Sequence, residues 1–143
     1  MEGEFPLSRF PFTTMKLIKI YFDGGARPTN PGKGYGSYEI VSDTINRKIE
    51  KREFGEPLTN NQAEYLALIE ALKWLVHQTE DMETHLRIFS DSKLVVMQVQ
   101  GSWKTKCAHI KELTGEVKKF LSMFDKWEIH WHGRAHNVER FGH

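Results

Sequence analysis

The feature that most constrains this chain is an alternating run that ends in a carboxylate beside two glycines. Residues 16–20 read Lys-Leu-Ile-Lys-Ile, and Tyr21-Phe22-Asp23-Gly24-Gly25 follows at once. Alternation of apolar and polar residues with a period of two is typical of a β-strand with one buried face. We therefore expect a strand from Lys16 to Asp23 that brings an acid to the rim of a sheet.

Two further acids stand in comparable settings. Glu64 ends the segment Thr59-Asn60-Asn61-Gln62-Ala63-Glu64 at the beginning of a helical pattern, and Asp91 follows a short apolar strand at 85–89. Taken alone, an acid in the first turns of a helix is usually a surface residue that interacts with the helix dipole. An acid between a strand and a helix, however, lies where α/β sheets hold their ligands. We expect Asp23, Glu64 and Asp91 to meet around metal.

Length and composition limit the classes of protein to consider. A chain of 143 residues, of which 39% are hydrophobic, is enough for one domain with a single core. The net charge of +1 gives no field that indicates a polyanionic partner, so nucleic-acid contact must depend on local basic groups. Cys107 is the single cysteine, which excludes an internal disulfide and makes the cytoplasm the default location. No apolar run approaches the roughly 18 residues that would span a membrane.

The rest of the pattern predicts a mixed sheet covered by helices. Residues 1–14 have no clean period, and we interpret them as an N-terminal extension or a cloning-derived leader before one domain at 15–143. We interpret the glycine- and proline-rich stretch at 24–36 as turns, which reverse the chain or let the backbone approach a ligand. We expect strands at 35–41, 47–54 and 127–131, helices at 92–99 and 107–124, and a polar end at 133–143.

The clearest helix follows a loop at 56–61. Apolar residues recur at spacings of three and four from Ala63 to Val76, which one buried helix face requires. Thr59 or Asn60 can cap this helix by accepting hydrogen bonds from the amide groups of its first turn. This cap would place Glu64 within the first two turns.

These motifs resemble those of the type 1 ribonuclease H family. The resemblance covers residues 16 to about 137, and it depends on three motifs in the family's order and spacing: Asp23-Gly24-Gly25 with Asn30-Pro31-Gly32, the segment 59–64, and Ser90-Asp91-Ser92. It implies the ribonuclease H-like α/β fold, a five-stranded mixed sheet flanked by helices. It also implies a hydrolase, an endonuclease that cleaves the RNA strand of an RNA/DNA hybrid with two divalent ions, Mg²⁺ or Mn²⁺.

The resemblance also implies roles for single residues. Asp23 would bridge both ions, and Glu64 and Asp91 would complete their coordination, since hard divalent cations prefer carboxylate oxygens and two of them can activate water beside a phosphodiester. The RNA strand would be contacted by four residues: Gly24, Asn30, Asn60 and Asn61. Amide side chains can both donate to and accept from the 2′-hydroxyl that distinguishes RNA from DNA.

The sequence departs from the family at its end. The family's last motif has an asparagine followed four residues later by a fourth aspartate, whereas here Asn137 is followed by Phe141. Three explanations are open: the chain is a fragment that ends before the acid, Glu139 serves through a shifted loop, or His143 becomes a metal ligand. We expect His143, because Gly142 beside it allows an unusual approach. A nitrogen ligand would favour Mn²⁺ over Mg²⁺.

Two other functions compete with hybrid cleavage. The missing acid would suit a hybrid-binding module that has lost catalysis, and the architecture would also suit another nuclease or polynucleotidyl transferase of the same superfamily. In place of the long basic insertion of many relatives, the chain has only the short segment 103–106, which predicts weaker and more salt-sensitive binding. We expect the RNA/DNA hybrid as the partner of a monomer, with no protein partner and no membrane.

Overall fold

The computed structural model describes residues 16–78 and 83–142, which form five strands and four helices. The expectations for residues 1–14 and for His143 lie outside the described residues. In chain order the elements are β1 (Lys16–Arg27), β2 (Gly32–Val41), β3 (Asn46–Leu58), α1 (Asn60–Gln78), β4 (Thr84–Ser90), α2 (Lys93–Gln100), α3 (Ala108–Leu121), β5 (Lys126–Trp131) and α4 (Arg134–Phe141).

The strands form one mixed sheet, in the order β3-β2-β1-β4-β5. The β1–β2 and β2–β3 pairs are antiparallel. The β1–β4 and β4–β5 pairs are parallel. The predicted five-stranded mixed sheet flanked by helices is therefore confirmed. The carboxyl ends of β1 and β4 lie side by side at one rim, where parallel strands hold ligands.

The core lies between the sheet and helices α1 and α3. In β1 the alternate residues Ile18, Ile20 and Phe22 are buried, and the residues between them face the other side of the sheet. α1 is the central helix, and it packs against β1, β2 and α3. Its buried positions include Leu68 and Leu72, on the face that the apolar spacing predicted.

The glycine-rich stretch at 24–36 was interpreted as turns, and the structure confines the turn to residues 28–31. β1 continues through Gly24 to Arg27, and β2 begins already at Gly32. The glycines have a packing role, because a Cβ on Gly24 would lie 2.5 Å from the carbonyl carbon of Ala63 in α1. Likewise, a Cβ on Gly36 would lie 2.9 Å from the Cβ of Ala67. The absent side chains let α1 lie directly on β1 and β2.

The N-terminus of α1 is fixed by a reciprocal cap. The Thr59 Oγ1 accepts a hydrogen bond from the Gln62 amide at 3.1 Å, and the Gln62 Oε1 accepts one from the Thr59 amide at 2.8 Å. This is a capping box, in which two amides at the helix start are satisfied by each other's side chains. Of the two predicted caps, Thr59 is therefore correct. The loop expected at 56–61 is shorter, since β3 extends to Leu58.

The C-terminal half contains one element that the pattern did not predict. β4, α2, α3 and β5 lie within a few residues of the predicted bounds, but the polar end at 133–143 contains helix α4. This helix buries only Asn137 and Phe141, which are four residues apart, and so it has no apolar stripe that a sequence pattern could reveal. It ends at Gly142, whose φ of 78° is the left-handed conformation that glycine adopts readily. No helix in the described parts of the chain is long and apolar enough to cross a membrane.

The contact at Gly24 predicts a stability difference between two glycine-to-alanine variants. We expect Gly24→Ala to lower the free energy of unfolding by about 1–3 kcal/mol, because the added methyl group meets the backbone of α1. The control is Gly115→Ala within α3, where a Cβ has nothing within 4 Å, and it should raise stability by about 0.5–1 kcal/mol. Urea unfolding of both variants measures this, and equal stabilities would contradict the packing role of Gly24.

Candidate active site

Three elements bring the three predicted acids to one rim of the sheet. Asp23 lies on β1 opposite Ser37 of β2, beyond the last residue pair between β1 and β4. Asp91 follows β4 directly, and its backbone carbonyl accepts a hydrogen bond from the Trp131 indole at 3.1 Å. Glu64 comes from the first turns of α1, beside the close contact with Gly24. The side chains of Asp23, Glu64 and Asp91 therefore converge at the rim of the sheet, just past the last residue pair between β1 and β4.

Their carboxylate groups are close enough to share a ligand. One oxygen atom from each of Asp23, Glu64 and Asp91 lies within 4.8 Å of the other two. Asp23 is 4% exposed, Glu64 is 8% exposed, and Asp91 is half-buried. Among residues 16–78 and 83–142 this is the one group of three or more metal-ligating side chains at such distances. The structure brings the three predicted acids together, and their role as metal ligands stays a prediction.

Burial and mutual repulsion raise the pKa of two of these acids. The pKa of Glu64 is raised well above its ordinary value, first by burial and then by the negative charges of Asp23 and Asp91. Burial and Asp23 also raise the pKa of Asp91, although the Arg134 cation and a hydrogen bond from Asn137 oppose this. The cluster is therefore under electrostatic strain at neutral pH.

The same atoms fit a hard divalent cation. The Oε1 of Glu64 is buried and has no hydrogen-bond partner among the described residues, which is costly for a carboxylate oxygen unless something else binds it. All three donors are carboxylates, the ligand type that Mg²⁺ and Mn²⁺ prefer. A cation between them would remove both the repulsion and the unsatisfied oxygen.

Helix α4 contributes a buried asparagine to this site, and none of its residues adds a fourth carboxylate to the cluster. Asn137 is fully buried, and its side-chain amide hydrogen-bonds to Asp91 and donates to the Phe22 carbonyl at 3.4 Å. Phe141 is 3% exposed and supplies no oxygen. Glu139 lies on the neighbouring cleft with His132 and is not part of the acid cluster. His143 lies outside the described residues, so its expected role as a ligand stays a prediction.

The asparagines expected to contact substrate form a second cluster beside the acids. The Asn60 Oδ1 accepts a hydrogen bond from the Ala26 amide at 2.8 Å, and the Asn60 amide donates to the Asn30 Oδ1 at 3.0 Å. These bonds tie the β1–β2 connection to the start of α1. Asn30, Asn60 and Asn61 line a cleft of about 510 Å³ together with Cys107 at the start of α3.

Two residues of the site were missed from the sequence. Arg134 places a positive charge near Asp91, and Gln62 closes the cap that fixes the helix turn carrying Glu64. The signal for Gln62 was present, since a threonine followed three residues later by glutamine is the pattern of a capping box. Arg134 gave no signal, because its position depends on a helix that the sequence pattern does not show.

Comparison with known proteins identifies the family. A family model described as reverse transcriptase-like matches residues 40–139. A bifunctional protein of Mycobacterium tuberculosis is 36% identical over 125 residues, which cover 87% of this chain and 33% of that protein. A ribonuclease HI of Halobacterium salinarum is 33% identical over 120 residues, which cover 84% of this chain and 58% of that protein. A ribonuclease H of Campylobacter curvus is 32% identical over 126 residues, which cover 87% of this chain and 77% of that protein. The chain belongs to the type 1 ribonuclease H family. It spans less than two thirds of the length of the Mycobacterium tuberculosis and Halobacterium salinarum proteins.

Solved structures of ribonuclease H proteins share the fold. The N-terminal ribonuclease H domain of the Mycobacterium tuberculosis protein superimposes with a TM-score of 0.76 at 29% identity, covering 87% of this chain and 95% of that chain. The Halobacterium salinarum ribonuclease H gives a TM-score of 0.75 at 33% identity, covering 88% and 92%. A ribonuclease H from a compost metagenome, solved in complex with an RNA/DNA hybrid, gives 0.71 at 31% identity, covering 85% and 89%.

The buried carboxylates predict that neutralising Glu64 stabilises the metal-free protein. Because the pKa of Glu64 is raised on folding, the folded state binds more protons than the unfolded chain just above the ordinary value of 4.5. Wild-type stability therefore falls as pH rises through this window. In EDTA at pH 7 we expect Glu64→Gln to raise the free energy of unfolding by on the order of 1 kcal/mol, with the gain vanishing below pH 4.5.

Denaturant unfolding of wild type and Glu64→Gln across this pH range checks the expectation. The control is Glu112→Gln on the exposed side of α3, which should show no such pH-dependent gain. Added Mg²⁺ should stabilise the wild type more than Glu64→Gln, because binding to the folded state alone raises stability. If Glu64→Gln were less stable than the wild type at pH 7 in EDTA, the charge of Glu64 would not destabilise the metal-free folded state, and the expectation would be wrong.

Proposed function

We propose that this protein is a divalent-metal-dependent endonuclease that hydrolyses the RNA strand of RNA/DNA hybrids. The observation that carries the proposal is the convergence of Asp23, Glu64 and Asp91, with one buried Glu64 oxygen left unsatisfied. Family membership supports the reaction class, and a relative solved with an RNA/DNA hybrid supports the substrate. The proposed cofactor is Mg²⁺ or Mn²⁺, with two ions in the presence of substrate.

The three acids would have different roles in metal binding, according to their positions. When bound at these acids, two divalent ions would supply an activated water on one side of the phosphate and charge stabilisation of the leaving oxygen on the other. Asp23 adjoins both other acids, since its charge raises the pKa of Glu64 and of Asp91, and so it would be the acid that contributes to holding both ions. Glu64 and Asp91 would each complete the coordination of one or the other ion. The Asn137 hydrogen bond orients Asp91 and favours its ionised form.

The asparagine cluster would distinguish RNA from DNA. Asn60 is occupied by Ala26 and Asn30, so its role is to fix the shape of the cleft. Among the residues that the structure describes, the side-chain amide of Asn61 has no hydrogen-bond partner, and Asn61 is partly exposed in the same cleft. It can therefore both donate to and accept from a 2′-hydroxyl. We also propose that the protein acts as a cytoplasmic monomer.

A hybrid-binding module without catalysis is the second candidate function. One observation favours it: Phe141, which stands at the place of the family's fourth acid, is buried in the packing of α4. Such a module would retain the asparagine cluster and the three acids but would cut nothing in either metal. His143 as a substitute ligand remains the proposal that would preserve activity, with Mn²⁺ favoured over Mg²⁺.

Cleavage of a strand-labelled RNA/DNA hybrid in Mg²⁺ and in Mn²⁺ tests the proposal. We expect cuts confined to the RNA strand, and we expect Asp91→Asn to reduce the rate by more than about 100-fold, since even residues behind the metal ligands contribute 10–100-fold. The matched control is Asp43→Asn, an exposed acid in the β2–β3 turn, which should cut at the wild-type rate. Tight hybrid binding without cutting in either metal would replace the nuclease with the binding module.

A further inference from the structure

A row of side chains continues from Asp23 along the same face of the sheet. The β1–β2 register pairs Asp23 with Ser37, Gly25 with Tyr35, and Arg27 with Lys33. Side chains two residues apart on a strand point to the same face, so Arg27 and its partner Lys33 share the face of Asp23. The asparagine cluster, in contrast, lines a different cleft, which it shares with Cys107 at the start of α3. The sheet therefore offers a second surface beside the acids.

A bulge in β3 brings Lys51 to this row. The register between β2 and β3 shifts between Gly36 and Tyr38, so that two residues of β3, Glu50 and Lys51, lie opposite the single residue Ser37. Lys51 has a φ of 53°, and its amide donates to the Ser37 Oγ at 2.9 Å. Bulges re-aim side chains, and a left-handed non-glycine residue is an uncommon conformation that is concentrated at functional sites. Lys51 on β3 therefore lies beside Ser37 on β2, which is itself paired with Asp23 on β1.

The cleft lined by Arg27, Lys33, Lys51 and Tyr35, which we call the basic cleft, has a volume of about 530 Å³. The Arg27 guanidinium lies 4.3 Å from the centre of the Tyr35 ring. None of the three cations forms an ion pair within the described residues. Glu53 and Glu56 also line the cleft, so three cations and two acids leave a net charge of +1.

We propose that the basic cleft binds the sugar-phosphate backbone of the RNA strand next to the phosphate that is cut. The distances support this: Arg27 lies four residues beyond Asp23, roughly 13 Å along β1, and Lys51 lies two strand spacings away, roughly 10 Å. Both distances correspond to a few nucleotides from the acids. The strand is the RNA strand because its backbone already contacts Asp23 in the proposed function, on which this inference rests.

Arginine and lysine suit this role through charge and geometry. Phosphate contacts supply most of the non-specific affinity for nucleic acids, and each one makes the affinity more salt-dependent. Arg27 is pre-oriented by the Tyr35 ring, which reduces the freedom that binding must remove. The cleft would compensate for the short basic segment at 103–106, where many relatives have a longer insertion.

Hybrid binding by fluorescence anisotropy in EDTA, where no cleavage occurs, tests the basic cleft. We expect Arg27→Ala and Lys33→Ala each to weaken binding roughly eightfold at about 0.1 M salt, and to reduce the salt slope by about 0.9. Glu53→Gln should tighten binding. The matched control is Lys73→Ala on the exposed side of α1, which should bind as the wild type does. Affinities of the cleft variants equal to that of Lys73→Ala would overturn the inference.

Lys51→Gly separates binding from folding. Glycine adopts a positive φ readily, so this variant should have a melting temperature equal to or above that of the wild type, yet it should bind the hybrid more weakly. A merely structural Lys51 would lose stability and affinity together, or lose neither. Wild-type affinity in Lys51→Gly would exclude Lys51 from the cleft's function.

Hybrids with neutral methylphosphonate linkages assign the strand. When the neutral linkages are in the RNA strand, Arg27→Ala and the wild type should bind with equal affinity, whereas neutral linkages in the DNA strand should leave the difference intact. The reverse result would overturn the assignment to RNA. If the wild type binds and cuts the hybrid and the cleft variants bind it equally well, this inference is refuted but the proposed function is not. A wild type that neither binds nor cuts hybrid refutes the proposed function.

Discussion

The close contact between α1 and β1 at Gly24 is the constraint on which the acid cluster depends. Ala63 and the Glu64 amide lie where a Cβ of Gly24 would be, at 2.5–2.6 Å. With a side chain at this position α1 would have to move outward, and Glu64 would move away from Asp23. The capping box at Thr59 fixes the first turn of the same helix, so both the distance and the rotation of the Glu64 turn are set.

The acid cluster is held together against its own repulsion by the core beneath it. Asp23 follows the fully buried Phe22 on β1, and Glu64 lies between other buried residues of α1. Packing of these apolar neighbours fixes the carboxylates, although burial and mutual charge raise the pKa of Glu64 and Asp91. The repulsion that weakens the cluster is the interaction that a divalent cation would reverse on binding. Rigid placement of the three acids therefore favours the proposed metal binding.

The sequence predicted the elements whose signal is local and missed those that depend on tertiary contact. Asp23 after an alternating strand and Asp91 between strand and helix were placed correctly, because period and order are properties of neighbouring residues. The interpretation of Gly24 as part of a turn was wrong, since a glycine in a turn and a glycine beneath a helix look identical in a sequence. Helix α4 was missed because it buries only two residues, and its packing on β1 replaces the apolar stripe.

Helix α4 supports one acid of the cluster without adding a carboxylate to it. Residues four apart share one helix face, so position 141 follows Asn137 on the side that faces the sheet, and the buried Phe141 fills it with apolar packing. Burial and Asp23 raise the pKa of Asp91, and the Arg134 charge and the hydrogen bond from Asn137 both oppose this rise. The helix thus supports Asp91 in its ionised form instead of adding a fourth negative charge. A cluster with three carboxylates repels itself less than one with four, and it leaves more coordination positions for water and phosphate oxygens, which Mg²⁺ commonly takes from its substrates.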